Sequence, residues 1–289
     1  FFLLFFGFCM GDLGYGLVLI VAGILMNRMA SFRSMAPLVT VLGIGTSLIG
    51  LFFHTFFSMD MLTWECIPEA VKNCMLPSKF NLMGSEYDGT MVLAILVGIF
   101  HLCVAMVVKT IYATKQKGFA NSLGTWGWTL LIVGGVIVAG VALTGVLDSA
   151  VTKWIIIALG SISALGIFIL NDLHRNPLKN IGAGLWETYN TATGLLGDVL
   201  SYLRLYALGL AGAMLGQAFN TLGWGLAEGG SIGGWIGFII VVLIGHVLNI
   251  AMAALGAFVH PLRLNFLEFF KNSGYETSGR VYAPLTKTE

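Results

Sequence analysis

Apolar positions run almost unbroken through 37–57, 90–113, 123–147, 153–170, 193–221 and 233–267, after an opening run at 1–26. A helix crosses the hydrocarbon core with roughly 17–25 apolar residues, so each run reads as a membrane span. Polar stretches separate them, among them "NRMASFR", "KTIYATKQKG", "NDLHRNPLKN" and "AEGGSIGG". Composition agrees: 57% of the 289 residues are hydrophobic, 10% are charged and mean hydropathy is +0.88. Soluble domains carry about 25% charged residues. The expected class is all-α, a polytopic membrane helical bundle whose solvent is the lipid bilayer. A net charge of +1 offers no basic surface for nucleic acid. No Gly-rich phosphate loop and no His/Cys cluster with metal-ligand spacing is present, so we expect no catalytic residue, no cofactor and no metal. The chain opens at Phe1 inside an apolar run, without an initiator Met or a charged signal region, and we expect a further part upstream.

Basic residues sort by loop. Arg28 and Arg33, Lys109, Lys115 and Lys117, Arg175 and Lys179, and Lys271, Arg280 and Lys287 make ten in alternate connections and the tail, against three (Lys72, Lys79, Lys153) in the others. The positive-inside rule then puts the ten, and the C-terminus, in the cytoplasm. The 58–89 loop, with Asp60, Glu65, Glu69, Glu86 and Asp88, is expected outside. Cys66 and Cys74 fall in that loop, where a disulfide is one option; Cys9 and Cys103 lie in apolar spans. "GDLGYG" at 11–16 has two readings: a turn between two short helices, or a Gly-rich helix packed closely with Asp12 turned into the bundle.

Two arginines stand in apolar sequence, Arg204 in "LSYLRLYALGL" and Arg263 in "VHPLRLNFLEFF". An arginine stays charged in a protein and costs about 2.5–3.5 kcal/mol at the bilayer centre on insertion scales. Snorkelling to water accounts better for Arg263, near a helix end with Glu268 close by, than for Arg204. Steps of three, four and seven place Gly197, Leu200, Ser201, Ala207, Leu208 and Ala211 on the face of Arg204, a strip of mostly small residues that another helix can approach closely. Asp198 lies off that strip, so the pattern implies a carboxylate elsewhere. On the last span Asn249, Gly256, His260 and Arg263 share a stripe with His246 beside it. Asn249 and His246 read either as interhelical hydrogen bonding or as a polar path part-way across. Pro261 frees the carbonyl of Ala257 and predicts a kink before Arg263.

"LSYLRLYALGLA" resembles the SY-x-RL-x-AL-x-LA signature of the membrane half of subunit a, or I, of rotary V-type and A-type ATPases. "HPLRLNFLEFF" resembles the family's last-helix segment, and "FFGFCMGDLGYG" its GD-x-G-(H/Y)-G segment. The motifs occur in the family's order and the resemblance covers essentially the whole chain. It implies eight transmembrane helices with a hairpin at GD-x-G-x-G: 1–10, 15–27, 37–57, 90–113, 123–147, 153–170, 184–221 and 233–270, then a cytoplasmic tail at 271–289, in a single transmembrane domain. The last two would be long and strongly tilted, since the 38 residues of 233–270 span about 57 Å as helix against a core of about 30 Å. Gly212, Ala253 and Pro261 depart from residues of eukaryotic relatives. The sequence sits nearer the prokaryotic branch, which implies a prokaryotic plasma membrane.

The resemblance implies a stator held against a rotating proteolipid ring (subunit c/K), with Arg204 the fixed charge that each ring carboxylate meets and Arg263 supporting the same interface. Asp198, Ser201, Glu187, His246, Asn249, His260 and Glu268 are the candidates for lining the half-channels. Peripheral and central stalk subunits would be reached through an upstream cytoplasmic domain, and nucleotide chemistry would belong to other subunits. The alternative from another class is a secondary ion-coupled transporter with a midplane site; no self-similarity between halves favours it. The sequence is silent on proton against sodium and on synthesis against pumping.

Overall fold

The computed structural model describes residues 1–65, 68–72, 75–77, 79–82, 85–119, 122–144, 148–168 and 177–274. The apolar runs fold as helices: α1 (Phe2–Met10), α2 (Leu13–Arg28), α3 (Ala36–Phe52), α5 (Gly89–Lys117), α6 (Leu123–Thr144), α7 (Ser149–Phe168), α8 (Pro177–Ala227) and α9 (Ile232–Arg263). A one-turn helix, α4 (Glu69–Lys72), lies in the connection before α5. By length and composition, five helical stretches among the described residues can cross a membrane: Gly89–Gln116, Leu123–Leu143, Ala150–Phe168, Asn180–Ala227 and Ile232–Ser273. Leu13–Arg28 and Ala36–Phe52 are shorter apolar helices. The described residues therefore form a predominantly helical fold of the multi-pass membrane kind. Helix α8 begins at Pro177 rather than at Gly184, and runs on to Ala227. Proline suits a first helical position because the amide hydrogen it lacks would have no partner there. Ser231 caps α9, its Oγ accepting from the Gly234 amide at 3.0 Å. The helix does not break at Pro261; it continues as a π-helical turn, Leu264–Phe269, and a last turn, α10 (Phe270–Ser273).

The described residues group into two compact units, Phe1–His101 with Thr191–Phe266, and Leu102–Asn190 with Leu267–Glu289. In the first, α2 packs on α3, and α1 packs on α3 and α9. Backbones meet at the α2–α3 contact: a Cβ added to Gly50 would stand 2.1 Å from the Leu13 amide nitrogen. Phe8, Phe53, Leu76 and Ala94 form a buried cluster that Tyr206 packs against. Between α3 and α5 the chain makes two small antiparallel hairpins, β1 (Thr55–Phe56) with β2 (Met59–Asp60), and β3 (Lys79–Leu82) with β4 (Ser85–Asp88). In β3–β4 Lys79 Nζ donates to Glu86 at 2.8 Å, and this hydrogen bond holds the Glu86 carboxyl below its ordinary pKa and the Lys79 ammonium above its own. In the second unit α6 packs on α7, around Met106, Trp128 and Ile167. Cys66 and Cys74 lie outside the described residues.

Candidate functional site

The polar chemistry of the first unit starts at the α1–α2 turn. Gly11 ends α1 at φ +48°, a left-handed conformation that glycine adopts without steric cost. Asp12 then caps α2 and is 4% exposed. Its Oδ1 accepts the amides of Gly14 (2.8 Å), Tyr15 (3.2 Å) and Phe57 (2.9 Å), and its Oδ2 accepts that of Ser58 (2.6 Å). Phe57 and Ser58 sit at φ +46° and +60°, so the carboxylate holds a hairpin turn that non-glycine residues rarely adopt. The capping places Tyr15 one turn into α2, where its hydroxyl reaches the middle of the unit.

Four elements meet there. The Tyr15 hydroxyl lies 2.8 Å from His246 Nδ1 on α9 and accepts from Asn249 Nδ2 at 2.8 Å. Asn249 Nδ2 also donates to the Gly212 carbonyl of α8 at 2.8 Å. His246 Nε2 is 2.9 Å from Asn220 Oδ1, and Asn220 Nδ2 donates to the Phe57 carbonyl at 2.8 Å. Tyr15 and Asn249 are fully buried, and His246 and Asn220 nearly so. Two cavities adjoin this network. One of about 250 Å³ is lined by Asp12, Tyr15, Ser58, Asp88, Thr90 and Tyr206; Tyr206 donates to Asp88 at 2.5 Å in its wall. The other, of about 130 Å³, lies among Cys9, Leu208, Gly212, Asn249, Met252 and Gly256.

Arg204 is half-buried on α8, and Gly197, Leu200, Ala207 and Ala211 on its face are exposed. Among the described residues no side chain pairs with it or hydrogen-bonds to it. Arg263, on α9, is exposed. Both charges act on His260, whose buried Nδ1 has no hydrogen-bond partner among the described residues. Ser201 is buried and turns its hydroxyl back to the Gly197 carbonyl at 3.1 Å; Asp198 is buried. The fold thus brings His246 and Asn249 into one network, and places His260 within electrostatic range of both Arg204 and Arg263. Glu187 and Glu268 belong to the second unit. Glu268 is buried there, with Oε2 unbonded among the described residues. Sequence reasoning passed over Tyr15, Asn220 and the buried His101–Tyr202 pair (2.8 Å). A histidine inside an apolar span, as at 101, is itself a signal, because such residues rarely enter a membrane without a partner. Among the described residues no group of three His, Cys, Asp or Glu side chains could hold a metal ion.

Fold and site together define a class: a multi-pass helical membrane protein whose two longest helices carry an arginine each and meet through a buried polar network. Sequence comparison makes the family particular: the chain is a homologue of subunit I of the V-type and A-type ATP synthases. It is 30% identical, over 99% of its length, to the V-type ATP synthase subunit I of Borreliella burgdorferi, covering 48% of that protein. It is 31% identical over 98% of its length to the A-type ATP synthase subunit I of Methanocaldococcus jannaschii, covering 43% of it, and 28% identical over 97% to that of Pyrococcus abyssi. The chain therefore spans about half the length, or less, of the curated relatives it matches. No family model matches the chain.

Proposed function

We propose that this chain forms the membrane stator of a rotary V/A-type ATPase, with ion half-channels on either side of Arg204 and Arg204 facing the carboxylates of a proteolipid ring. The observation that carries the reading is the situation of Arg204: half-buried in an apolar helix, on an exposed strip of small residues, with no ion pair among the described residues. A fixed charge of this kind waits for a mobile partner. At 4 Å and an effective dielectric near 20, a carboxylate meeting it gains about 4 kcal/mol, roughly three pKa units towards ionisation. A ring carboxylate arriving protonated would release its ion beside Arg204 into one half-channel and reload from the other on leaving. The same charge repels a cation that would run directly between the half-channels.

Helix α9 supports the geometry, since its 32 residues span about 48 Å against a hydrocarbon core of about 30 Å. A helix of that length fits the bilayer by tilting along a ring wall. Eight spans, a cytoplasmic C-terminus in a prokaryotic plasma membrane, and stalk partners reached through a cytoplasmic part of the subunit belong to the same reading. The test is ATP-driven ion uptake into vesicles containing the whole complex. Arg204→Ala and Arg204→Lys are expected to assemble, by co-purification, and to transport nothing. Lysine fails because its buried ammonium can lose its proton and its geometry differs. Near-normal uptake by assembled Arg204→Ala complex removes the proposal.

A further inference from the structure

We propose, resting on the stator reading, that the cleft between α8 and α9 is a docking site for the protonated carboxyl of a ring subunit, whose O–H group donates to Asn249 Oδ1.

The cleft is the cavity of about 130 Å³, and it opens on the strip that carries Arg204. Leu208, Ala211, Gly212 and Leu215 of α8 line it. They follow Arg204 by four, seven, eight and eleven residues, spacings that keep to one helical face. Ala211 and Met252 are exposed at its mouth, while Asn249, 1% exposed, lies deep in it beside the buried Cys9 and Ala257. No other side chain in the lining carries an oxygen or a nitrogen.

The orientation of the Asn249 amide is set by its partners. Nδ2 donates to the Tyr15 hydroxyl and to the Gly212 carbonyl, each at 2.8 Å. A carbonyl only accepts, so the NH2 group cannot trade places with the oxygen. Oδ1 is thereby held on the other side of the amide, and among the described residues nothing donates to it. A Cβ built on Gly212 would meet Oδ1 alone, at 3.7 Å, so this oxygen borders the open space beside Gly212. A buried amide oxygen in that position calls for a donor from outside the chain.

One acceptor in an apolar wall selects among the charge states of a carboxyl. The protonated acid supplies the missing O–H and buries no charge. The ionised carboxylate sets its oxygens against the lone pairs of Oδ1 and loses its hydration. Arg204 has the opposite preference, for the ionised form. The two residues thus divide the states of the ring carboxyl along one helix face, with Gly212 about 12 Å beyond Arg204 at 1.5 Å per residue. As a carboxyl passes from the cleft to Arg204, its O–H bond breaks and the proton bonds to a half-channel water, giving hydronium. The electron pair stays on the carboxylate, which pairs with the guanidinium. In the other direction hydronium returns the proton, and the new O–H turns to Oδ1.

The test uses the whole complex in vesicles. Gly212→Cys, in a chain whose own cysteines are replaced by alanine, is combined with a ring subunit carrying Cys in place of its carboxylate residue, and disulfide formation is followed under mild oxidation. A cross-link is expected there, and another from Ala207→Cys, exposed on the strip of Arg204. Cross-linking from Ala207→Cys without any from Gly212→Cys removes the docking site and leaves the stator reading standing; none from either removes both. The second measurement is ATP-driven ion uptake. Gly212→Val keeps the backbone carbonyl that Asn249 binds but carries two methyl groups into the cleft beside Oδ1. We expect it to assemble and to lose uptake about tenfold. Asn249→Leu, similar in size but without the oxygen, is expected to lose as much, and if it fails to assemble, Gly212→Val decides. Normal uptake by either variant in assembled complex overturns the proposal.

Discussion

Arg204 and Arg263 carry the same charge in different solvents, and the difference ranks them. Arg263 is exposed at the end of α9; Arg204 is half-buried mid-helix in α8. Replacing Arg263 by Ala is expected to lower ion uptake only in part, and Arg204→Ala to abolish it, in vesicles holding equal amounts of complex. Equal and complete loss at both positions would show the ranking to be wrong. Asp12 invites the opposite prediction. Four amides use its two oxygens, two of them from a hairpin far along the chain, so its work is structural. Asp12→Ala leaves buried donors unpaired at about 1–3 kcal/mol each, and the purified complex should lose this subunit at lower temperature. Asp12→Asn keeps one accepting oxygen and should retain most ion uptake; complete loss with intact assembly would make the carboxylate part of the ion path. The residues around Asp12 leave two readings, a turn or a closely packed Gly-rich helix, and the turn comes only with the family resemblance. The sequence could not show the hairpin that the carboxylate also holds, because a contact 45 residues away leaves no local trace. Tyr15 and Asn220 were hidden for the same reason: tyrosine is ordinary at a helix start and asparagine ordinary on a long helix, until folding brings His246 between them.

Elements were more legible than residues wherever hydrophobicity alone decides. The apolar runs gave the helices, because in lipid a backbone satisfies its polar groups within its own helix. The hairpins between α3 and α5 were not legible, for their strands are short and carry no clear alternation. Nor was the early start of α8, where polar residues continue a helix that hydropathy alone would end. Close packing also escapes composition: many glycines are visible in the sequence, but not which of them touch. Gly50 meets the Leu13 backbone, whereas Gly135 on α6 has nothing within 4 Å of an added Cβ. Gly50→Ala is therefore expected to force α2 from α3 at about 1–3 kcal/mol or more, while Gly135→Ala is neutral or slightly stabilising. The yield of assembled complex and its thermal dissociation measure both. Equal behaviour of the two variants would mean that the α2–α3 approach is not as close as described.

Across the whole molecule the remaining question is which side of the membrane each connection faces, and two independent features bear on it. Ten basic residues fall in one set of connections and three in the other. In the first unit, Asn220 near the end of α8 binds the Phe57 carbonyl, so the hairpin region and the turn between α8 and α9 share one end. Trp224, Trp235 and Phe238 cluster at that end, as aromatic rings do at a membrane–water interface. That end is the poorly basic one. We therefore expect 58–89 and the α8–α9 turn to face outward, and 27–36, 114–122, 171–190 and 271–289 to face the cytoplasm. Single cysteines in a chain whose own cysteines are replaced by serine test this with an impermeant thiol reagent. Tyr87→Cys and Glu228→Cys should label in intact cells, and Ser34→Cys and Lys115→Cys only after permeabilisation. The reverse pattern would turn the molecule over. It would also put the cavity lined by Asp88 and Tyr206 on the cytoplasmic side.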